Sequence, residues 1–381
     1  MQKKNKNEAW IGSFQGLRFL MVLLVFFCHT EMVPGHRLDA IWYSSAGAAG
    51  VSFFIMLSGF VIHMGYEKRL RENAITPGTF LVNRLAHLWP LHVLMLLICA
   101  YCYSGGMVSV HLKSPIFYIN LFLLQGWIPG PSQTFAFTYN GLAWTLSIEL
   151  LCYIAYLGIV RMKSATRCGL TVALYSFIAL CASLASGGYL EPVPHLFYTA
   201  PVFRLADFMM GIVLCDFYRY WRARHETAQT RGHVWGTLLE GLAVGVTCAT
   251  MVAFARLPIS GAWTLQLLFV PASAMVIFTF ACGRGIVSKA LSSKPMQYLG
   301  KLSMPMYLLH QWGIWLGMRL MGDTTNDYHK RTLLCLLVLL GVIVASVIVL
   351  HCVVNPMSKL IKRAWKSLCA KALCRKERAC S

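Results

Sequence analysis

Apolar residues in this chain are gathered into long continuous runs, which short polar and basic stretches separate. Ten of these runs come close to the roughly 20 residues that an α-helix needs to cross the apolar core of a bilayer. Strands would leave backbone groups unpaired in lipid, so the runs predict helices. The pattern predicts an all-α, polytopic membrane protein with about ten transmembrane helices, at residues 13–33, 48–66, 85–104, 141–160, 168–187, 198–218, 236–256, 262–282, 302–320 and 332–354.

Composition supports the membrane class. Of the 381 residues, 57% are hydrophobic and only 13% are charged, whereas soluble domains carry roughly a quarter charged residues. The first apolar run continues well past signal-peptide length, so we expect no cleavable secretory signal. The 14 cysteines show neither a disulfide framework nor a zinc-binding CxxC pair, and we expect them to serve as small buried hydrophobes.

The basic residues predict the orientation. A net charge of +20 would suggest nucleic acid in a soluble protein, but here the charges lie in short loops between apolar runs. With the N-terminus placed in the cytoplasm, 26 Lys and Arg residues fall inside and 5 fall outside. The positive-inside rule therefore predicts a multi-pass protein with both termini in the cytoplasm, N-in/C-in, and the charges need no nucleic-acid partner. A second use for a few of these cations is attraction of anionic lipids or a polyphosphate ligand.

Two segments outside the spans have distinct patterns. Residues 355–381 place Leu360, Ile361, Trp365 and Leu368 at helical spacing among eight basic residues. This predicts a basic amphipathic cytoplasmic tail lying on the inner leaflet, after an integral-membrane domain at 1–354. The long external connection 105–140 contains an apolar piece too short to cross the bilayer, so we expect a re-entrant or interfacial segment.

Ionisable residues inside spans are costly and suggest function. Arg18 and His29 are eleven residues apart in the first span. They therefore share one helix face and lie roughly 16 Å apart along the axis. Glu149 falls near mid-membrane and must pair or be protonated, with Arg18 or His29 as partner. Each residue also has a purely structural explanation. Arg18 could extend its side chain to the inner interface, His29 could be a packing histidine, and Glu149 could belong to a structural buried pair. Arg204 and Asp207 are expected to form a structural ion pair.

Several motifs then follow in order along the chain. The spacing Arg, ten residues, His resembles the first span of acyltransferase family 3, the integral-membrane acyltransferases that modify cell-surface glycans and related acceptors. Later motifs of the same family are similar to GVSFFIMLSGFVI, NRLAHLWPLH, LAWTLSIELLCYI, FRLADFMMGIVL and LGKLSMPMYLLH. Together they reach from Arg18 to His310, on spans of matching orientation.

The resemblance implies transfer of an acyl group from a thioester to a hydroxyl, which requires a base for the acceptor proton. It assigns catalysis to His29, Glu149 and Arg18. It assigns the anionic phosphates of the donor to Arg84, His87 and Arg18, at the inner ends of spans three and one. We expect His310 to be a packing residue.

The third-span motif departs from the family pattern. Asn83 replaces its first arginine, His87 its third and His92 its tyrosine, which leaves Arg84 as the permanent cation. Near the end of the last span, Asn355 stands where relatives often have glutamate. These changes weaken a full arginine cluster, and His87 contributes charge only when protonated.

The resemblance thus implies an acyl-CoA-dependent O-acyltransferase of the bacterial cytoplasmic (inner) membrane. It would move an acyl group, most simply acetyl, from cytoplasmic acyl-CoA to a hydroxyl of a cell-surface glycan or glycolipid. Its expected partners are acyl-CoA as donor substrate, the acceptor and membrane lipids, with no permanently bound cofactor and no metal. One alternative is a proton-coupled secondary transporter, which the intramembrane charges favour and the missing internal repeat opposes. Another is acylation of a small hydrophobic metabolite such as a macrolide.

Overall fold

The computed structural model describes residues 11–30, 43–103, 105–128, 135–186, 198–225, 233–256, 262–321 and 328–380. Within these ranges every regular element is helical, which confirms the all-α class. The helices are α1 (Ser13–His29), α2 (Tyr43–Arg71), α3 (Pro77–Tyr103), α4 (Val108–His111), α5 (Pro115–Leu121), α6 (Trp144–Ile159), α7 (Ser164–Ser186), α8 (Pro201–His225), α9 (His233–Arg256), α10 (Ala262–Cys282), α11 (Ile286–Leu291), α12 (Lys294–Lys301), α13 (Ser303–Met321), α14 (Tyr328–Val349) and α15 (Asn355–Cys380). A 3₁₀ turn covers Phe135–Phe137 and a π-helical turn covers Leu350–Val354.

Each of the ten predicted spans coincides with one of the longer helices. In the described part of the chain, five helical stretches are long and apolar enough to cross a bilayer, and three shorter apolar helices accompany them. The five are Ala49–Arg71, Pro77–Tyr103, Ser164–Leu184, Val234–Ala253 and His329–Ala372. The protein is therefore a helical membrane protein, while the count of ten spans and the orientation stay predictions.

Helices α2 and α8 form the tightest contact between long helices, and glycine makes it possible. A Cβ atom on Gly59 of α2 would overlap the carbonyl oxygen of Phe208, and one on Gly211 of α8 would overlap that of Met56. Small residues let two helix backbones approach closely in a membrane, where packing and not the hydrophobic effect holds helices together. Helix α2 thereby becomes the central element, with α1, α8 and α10 packed around it.

A buried ionic network joins one end of α2 to α7 and α8. Arg167 donates from Nη1 to Glu67 Oε1 over 3.1 Å and pairs through Nη2 with Asp216 Oδ2 over 3.0 Å. Arg219 pairs with Glu67 on its other oxygen. His63 is buried between Asp216, at 2.9 Å, and the hydroxyl of Tyr156, so each carboxylate has a cationic partner in the low-dielectric interior.

The ligand atoms of His63, Glu67 and Asp216 lie within 4.8 Å of one another, close enough to hold a metal ion. The guanidinium groups of Arg167 and Arg219 already bond the same carboxylates. A metal ion there would have to displace a buried cation, so the arrangement fits a structural ion-pair network better than a metal site.

The tail is helical, as predicted for 355–381 up to residue 380, and its helix follows α14 through the π-helical turn. The indole nitrogen of Trp365 donates to Thr79 Oγ1 over 3.1 Å, which docks α15 on the first turn of α3. Leu360 and Leu368 of the same helix are exposed. The predicted apolar face is thus divided between an internal contact and a surface suited to lipid.

The 105–140 connection packs onto helices in its described part. His92 of α3 donates to the backbone oxygen of Asn120 over 2.7 Å. Ser147 of α6 donates to Leu123 O over 2.7 Å, and the Trp127 indole donates to the Ser147 carbonyl over 2.8 Å. The segment is therefore held by side-chain hydrogen bonds to two long helices, and its depth in the bilayer stays a prediction.

Candidate active site

A cavity of about 550 Å³ lies between α1, α2, α3, α6, α12 and α13. Arg84 and His87 from the first half of α3 line one end, together with Lys301 at the end of α12. Thr145 in the first turn of α6 and Tyr307 of α13 line the other end. By the predicted orientation, the first end is the cytoplasmic end and the second lies deeper in the membrane.

The end of the cavity that Arg84 and Lys301 line is rich in cations. Arg18, Arg84 and Lys301 all line the cavity. Arg84 donates from Nη2 to the hydroxyl of Tyr66 over 2.9 Å, and its guanidinium lies 4.8 Å from that ring's centroid. Its buried Nε has no hydrogen-bond partner in the described part of the chain. A half-buried guanidinium whose buried Nε is a spare donor, next to further cations, suits an anionic ligand such as phosphate.

Glu149 is the one carboxylate among the described residues that line this cavity. It hydrogen-bonds to Ser58 and Tyr153 and interacts electrostatically with Arg18 and Arg84. The sequence suggested either Arg18 or His29 as the partner of Glu149, and the fold places Arg18 beside it. Ser58 of α2 also lines the cavity and so supplies a hydroxyl to this carboxyl group.

Four of the five predicted site residues therefore meet in one cavity: Arg18, Arg84, His87 and Glu149. His29 lies outside it. The imidazole of His29 contacts that of His310 on α13, with ring centroids 4.8 Å apart and His29 Nδ1 3.2 Å from His310 Nε2. Residue 310, expected to pack, is thus the partner of the predicted base.

The cavity and the histidine pair are neighbours. Tyr307 lines the deep end of the cavity, where it hydrogen-bonds to Thr145. One helical turn along α13, its ring lies 6.0 Å from that of His310. Tyr307 therefore borders the cavity and the imidazole of His310 at the same time.

Several cavity residues escaped the sequence analysis. Lys301 and Tyr307 lie within the quoted motif LGKLSMPMYLLH, and their spacing relative to His310 was a usable signal. No sequence signal pointed to Tyr298 and His351, because the short helix α12 and the π-helical turn are what place them at the cavity. Their side chains meet there, with Tyr298 Oη 3.1 Å from His351 Nε2.

The predicted ion pair on α8 also forms. Arg204 and Asp207 are both buried and lie 3.1 Å apart. Arg204 also donates to Ser52 over 3.0 Å, and the hydroxyl of Tyr175 donates to Asp207 over 2.9 Å. The pair ties α8 to α2 and α7, in agreement with the structural role expected for it.

The sequence profile of a family described as "Acyltransferase domain" matches residues 11–351, which include the whole cavity up to its π-helical turn. The chain belongs to the acyltransferase 3 family. This confirms the resemblance drawn from the motifs, and it means that the cationic cavity and the histidine pair lie in an acyltransferase.

The matches to similar proteins cover different shares of this chain. Acyltransferase MdmB of Streptomyces mycarofaciens is 26% identical, and the match covers 93% of each chain. Exopolysaccharide production protein ExoZ of Rhizobium meliloti is 24% identical over 50% of this chain and 55% of its own. Protein 2 in the picA locus of Rhizobium radiobacter is 31% identical over 37% of this chain and 78% of its own. No solved structure matches.

Proposed function

We propose that this acyltransferase moves an acyl group, acetyl in the first instance, from cytoplasmic acyl-CoA to a hydroxyl of a glycan or glycolipid. The reaction would take place at the outer side of the bacterial cytoplasmic membrane. The observation that carries the proposal is the cavity that begins among Arg18, Arg84 and Lys301 and ends one tyrosine away from His29 and His310.

The charges of the cavity suit a CoA donor. Its phosphates carry several negative charges, and Arg84 offers an unpaired buried Nε at the end where a cytoplasmic ligand would enter. Charge-assisted hydrogen bonds of this kind are roughly twice as strong as neutral ones. With the phosphates held there, the pantetheine arm extends toward Thr145 and Tyr307, which brings the thioester close to the histidine pair.

The proposed chemistry is direct transfer. The Nε2 atom of His29 takes the proton of the acceptor hydroxyl as its oxygen attacks the thioester carbonyl. The hydroxyls of Tyr307 and Thr145 lie at the deep end, where they can donate to the developing oxyanion. As the carbon–sulfur bond breaks, the proton passes from His29 to the sulfur, which leaves an ester and free CoA. Glu149 holds Arg18 in the cavity by charge.

The acceptor class rests on similarity. The name of ExoZ links that relative to exopolysaccharide production, which favours a glycan acceptor for this chain. A small hydrophobic acceptor such as a macrolide is the alternative, and the same assay distinguishes the two.

The experiment incubates the purified full-length protein with radiolabelled acetyl-CoA, with and without a bacterial polysaccharide or a macrolide, and measures free thiol and labelled product. His29→Gln should lower turnover per folded molecule by about a hundredfold to ten-thousandfold, since it loses a general base, while acetyl-CoA still binds. His225→Gln is a matched control on an exposed histidine at the end of α8. Near-normal turnover in His29→Gln, or no thioester cleavage by the wild type with either acceptor, would overturn the proposal.

A further inference from the structure

The imidazoles of His29 and His310 belong to helices far apart in sequence and meet edge to face, with 64° between their planes. His310 is buried, with 1% of its surface exposed, whereas His29 is half-buried. A buried histidine needs a hydrogen-bond partner for each ring nitrogen. The partners of these two rings decide which nitrogen carries each proton.

On His310 the assignment is direct. Its Nδ1 lies 2.8 Å from the carbonyl oxygen of Tyr307 and 3.2 Å from that of Met306. A carbonyl oxygen can only accept, so Nδ1 carries the proton of this neutral ring. The Nε2 of His310 is therefore an acceptor with a lone pair, and it points at His29 Nδ1 over 3.2 Å.

The same reasoning fixes His29. Its Nδ1 faces two acceptors, the Nε2 of His310 and the carbonyl oxygen of Val25 at 2.8 Å. A lone pair on Nδ1 would repel both, so Nδ1 carries the proton and donates. The Nε2 of His29 is then the unprotonated nitrogen, and it has no hydrogen-bond partner among the residues that the structure describes.

We propose that His310 is a positioning residue for the base: it accepts a hydrogen bond from His29 Nδ1–H and, together with the Val25 carbonyl, holds the ring of His29 in the orientation and tautomer whose Nε2 can take the acceptor proton. The inference rests on the proposed function in treating His29 as the base. A neutral imidazole here has the orienting role that a carboxylate has in a serine hydrolase triad. Its advantage in a membrane interior is that no second buried charge is needed.

The proton balance is simple. Before transfer, His29 has one proton, on Nδ1, shared with His310 Nε2 and Val25 O. The acceptor proton arrives on Nε2 and makes a cation, whose Nδ1–H bond to the two acceptors strengthens as charge develops. When Nε2 gives that proton to the departing sulfur, the pair returns to its starting state, and His310 stays neutral throughout.

The first test needs no activity. Nitrogen NMR of protein labelled with ¹⁵N-histidine distinguishes the two neutral tautomers, and comparison with His29→Gln assigns the signal of that ring. The wild type should show His29 as the Nδ1–H form. His29 in the Nε2–H form would overturn the proposal even if acetyl transfer were demonstrated.

The second test uses two variants of His310. His310→Leu removes the acceptor and should lower kcat by about tenfold or more, the loss expected of one hydrogen bond to a charged group, with donor KM unchanged. His310→Gln keeps an acceptor oxygen near the position of Nε2 and should restore most of kcat. His92→Leu is the control for loss of a buried histidine that donates to a backbone carbonyl elsewhere; it should affect yield and not kcat per folded molecule.

The outcomes separate the two ideas. If the wild type turns over acetyl-CoA and His310→Leu has the same kcat, the positioning role is refuted and the proposed function stands. An inactive wild type whose His29 is in the Nδ1–H form would refute the acetyl-CoA reaction and leave the pairing standing. If His310→Leu does not fold, His29 in the Nε2–H form in the wild type, or a kcat of His310→Gln that is also about tenfold lower or more, would still refute the positioning role.

Discussion

The ring of Tyr307 lies 6.0 Å from that of His310, while the same tyrosine lines the cavity that contains Arg18 and Arg84. In the proposed reaction, the donor and the base are thus on two sides of one side chain. The acyl group would pass from the cavity to an acceptor near His29, so this tyrosine is where the two halves of that reaction would meet. Its hydroxyl, bonded to Thr145, is the proposed donor to the thioester carbonyl.

Tyr307→Phe should therefore lower kcat by about a hundredfold or more, because one preorganised oxyanion donor is worth that much. The ring stays, so donor KM should change little. Steady-state kinetics with acetyl-CoA check this, with Tyr218→Phe on α8, outside the cavity, as control. An unchanged kcat in Tyr307→Phe would mean that the hydroxyl does not touch the transition state.

Arg84→Ala should weaken donor binding by about tenfold or more, since it removes charge-assisted bonds to phosphate, with little effect on kcat at saturating donor. Binding of acetyl-CoA by calorimetry, beside kinetics, separates the two quantities. Arg319→Ala is the matched control: this arginine is exposed and lies over the Trp315 ring, away from the cavity. Loss of kcat alone in Arg84→Ala would rule out a phosphate-binding role.

Glu149→Gln replaces the carboxyl group beside Arg18 with a neutral amide that can still hydrogen-bond to Ser58 and Tyr153. Two effects of opposite sign are expected. The anionic donor should bind more tightly, because its repulsion from the carboxylate disappears, while kcat should fall by at least about tenfold if Glu149 acts in catalysis. A merely structural role predicts a lower melting temperature with kcat preserved, so thermal unfolding is measured alongside.

Gly211→Ala should destabilise the protein, because the new methyl group would overlap the carbonyl oxygen of Met56 on α2. Overpacking of this kind typically costs about 1–3 kcal/mol. A methyl group added at Gly241 on α9 would have no atom within 4 Å. Gly241→Ala should therefore leave stability unchanged or raise it slightly. Melting temperatures in one detergent compare the pair, and equal values would show that α2 and α8 can separate without cost.

The orientation can be tested directly. A reporter inserted in 219–235 or fused after Ser381 should be found in the cytoplasm, and one inserted in 105–140 should be found outside. This expectation rests on the 26 Lys and Arg residues on the predicted cytoplasmic side against 5 on the outer side, as the positive-inside rule requires. An external reporter in 219–235 would move Arg84 and Lys301 to the outer side and remove the argument for a cytoplasmic donor.

The amino-acid sequence was sufficient for the helices, because the length of an apolar run is a local property. The spans predicted at 48–66 and 262–282 fall on α2 (Tyr43–Arg71) and α10 (Ala262–Cys282). The order of the motifs also indicated the family. Arg18 and Glu149 were identified as candidates because they are ionisable residues inside apolar spans. The helical tail followed from periodicity in the same way.

Tertiary structure decided which of these residues meet. Whether Glu149 faces Arg18 or His29 depends on how each helix is rotated about its axis, and spacing within one helix says nothing about that. The partner of His29 is 281 residues away, on a helix whose sequence suggests only packing. His351 reaches the cavity because a π-helical turn shifts the register of the last span. Hydrophobic patterning cannot encode such contacts, because in a membrane both the lipid-facing and the packed surfaces of a helix are apolar.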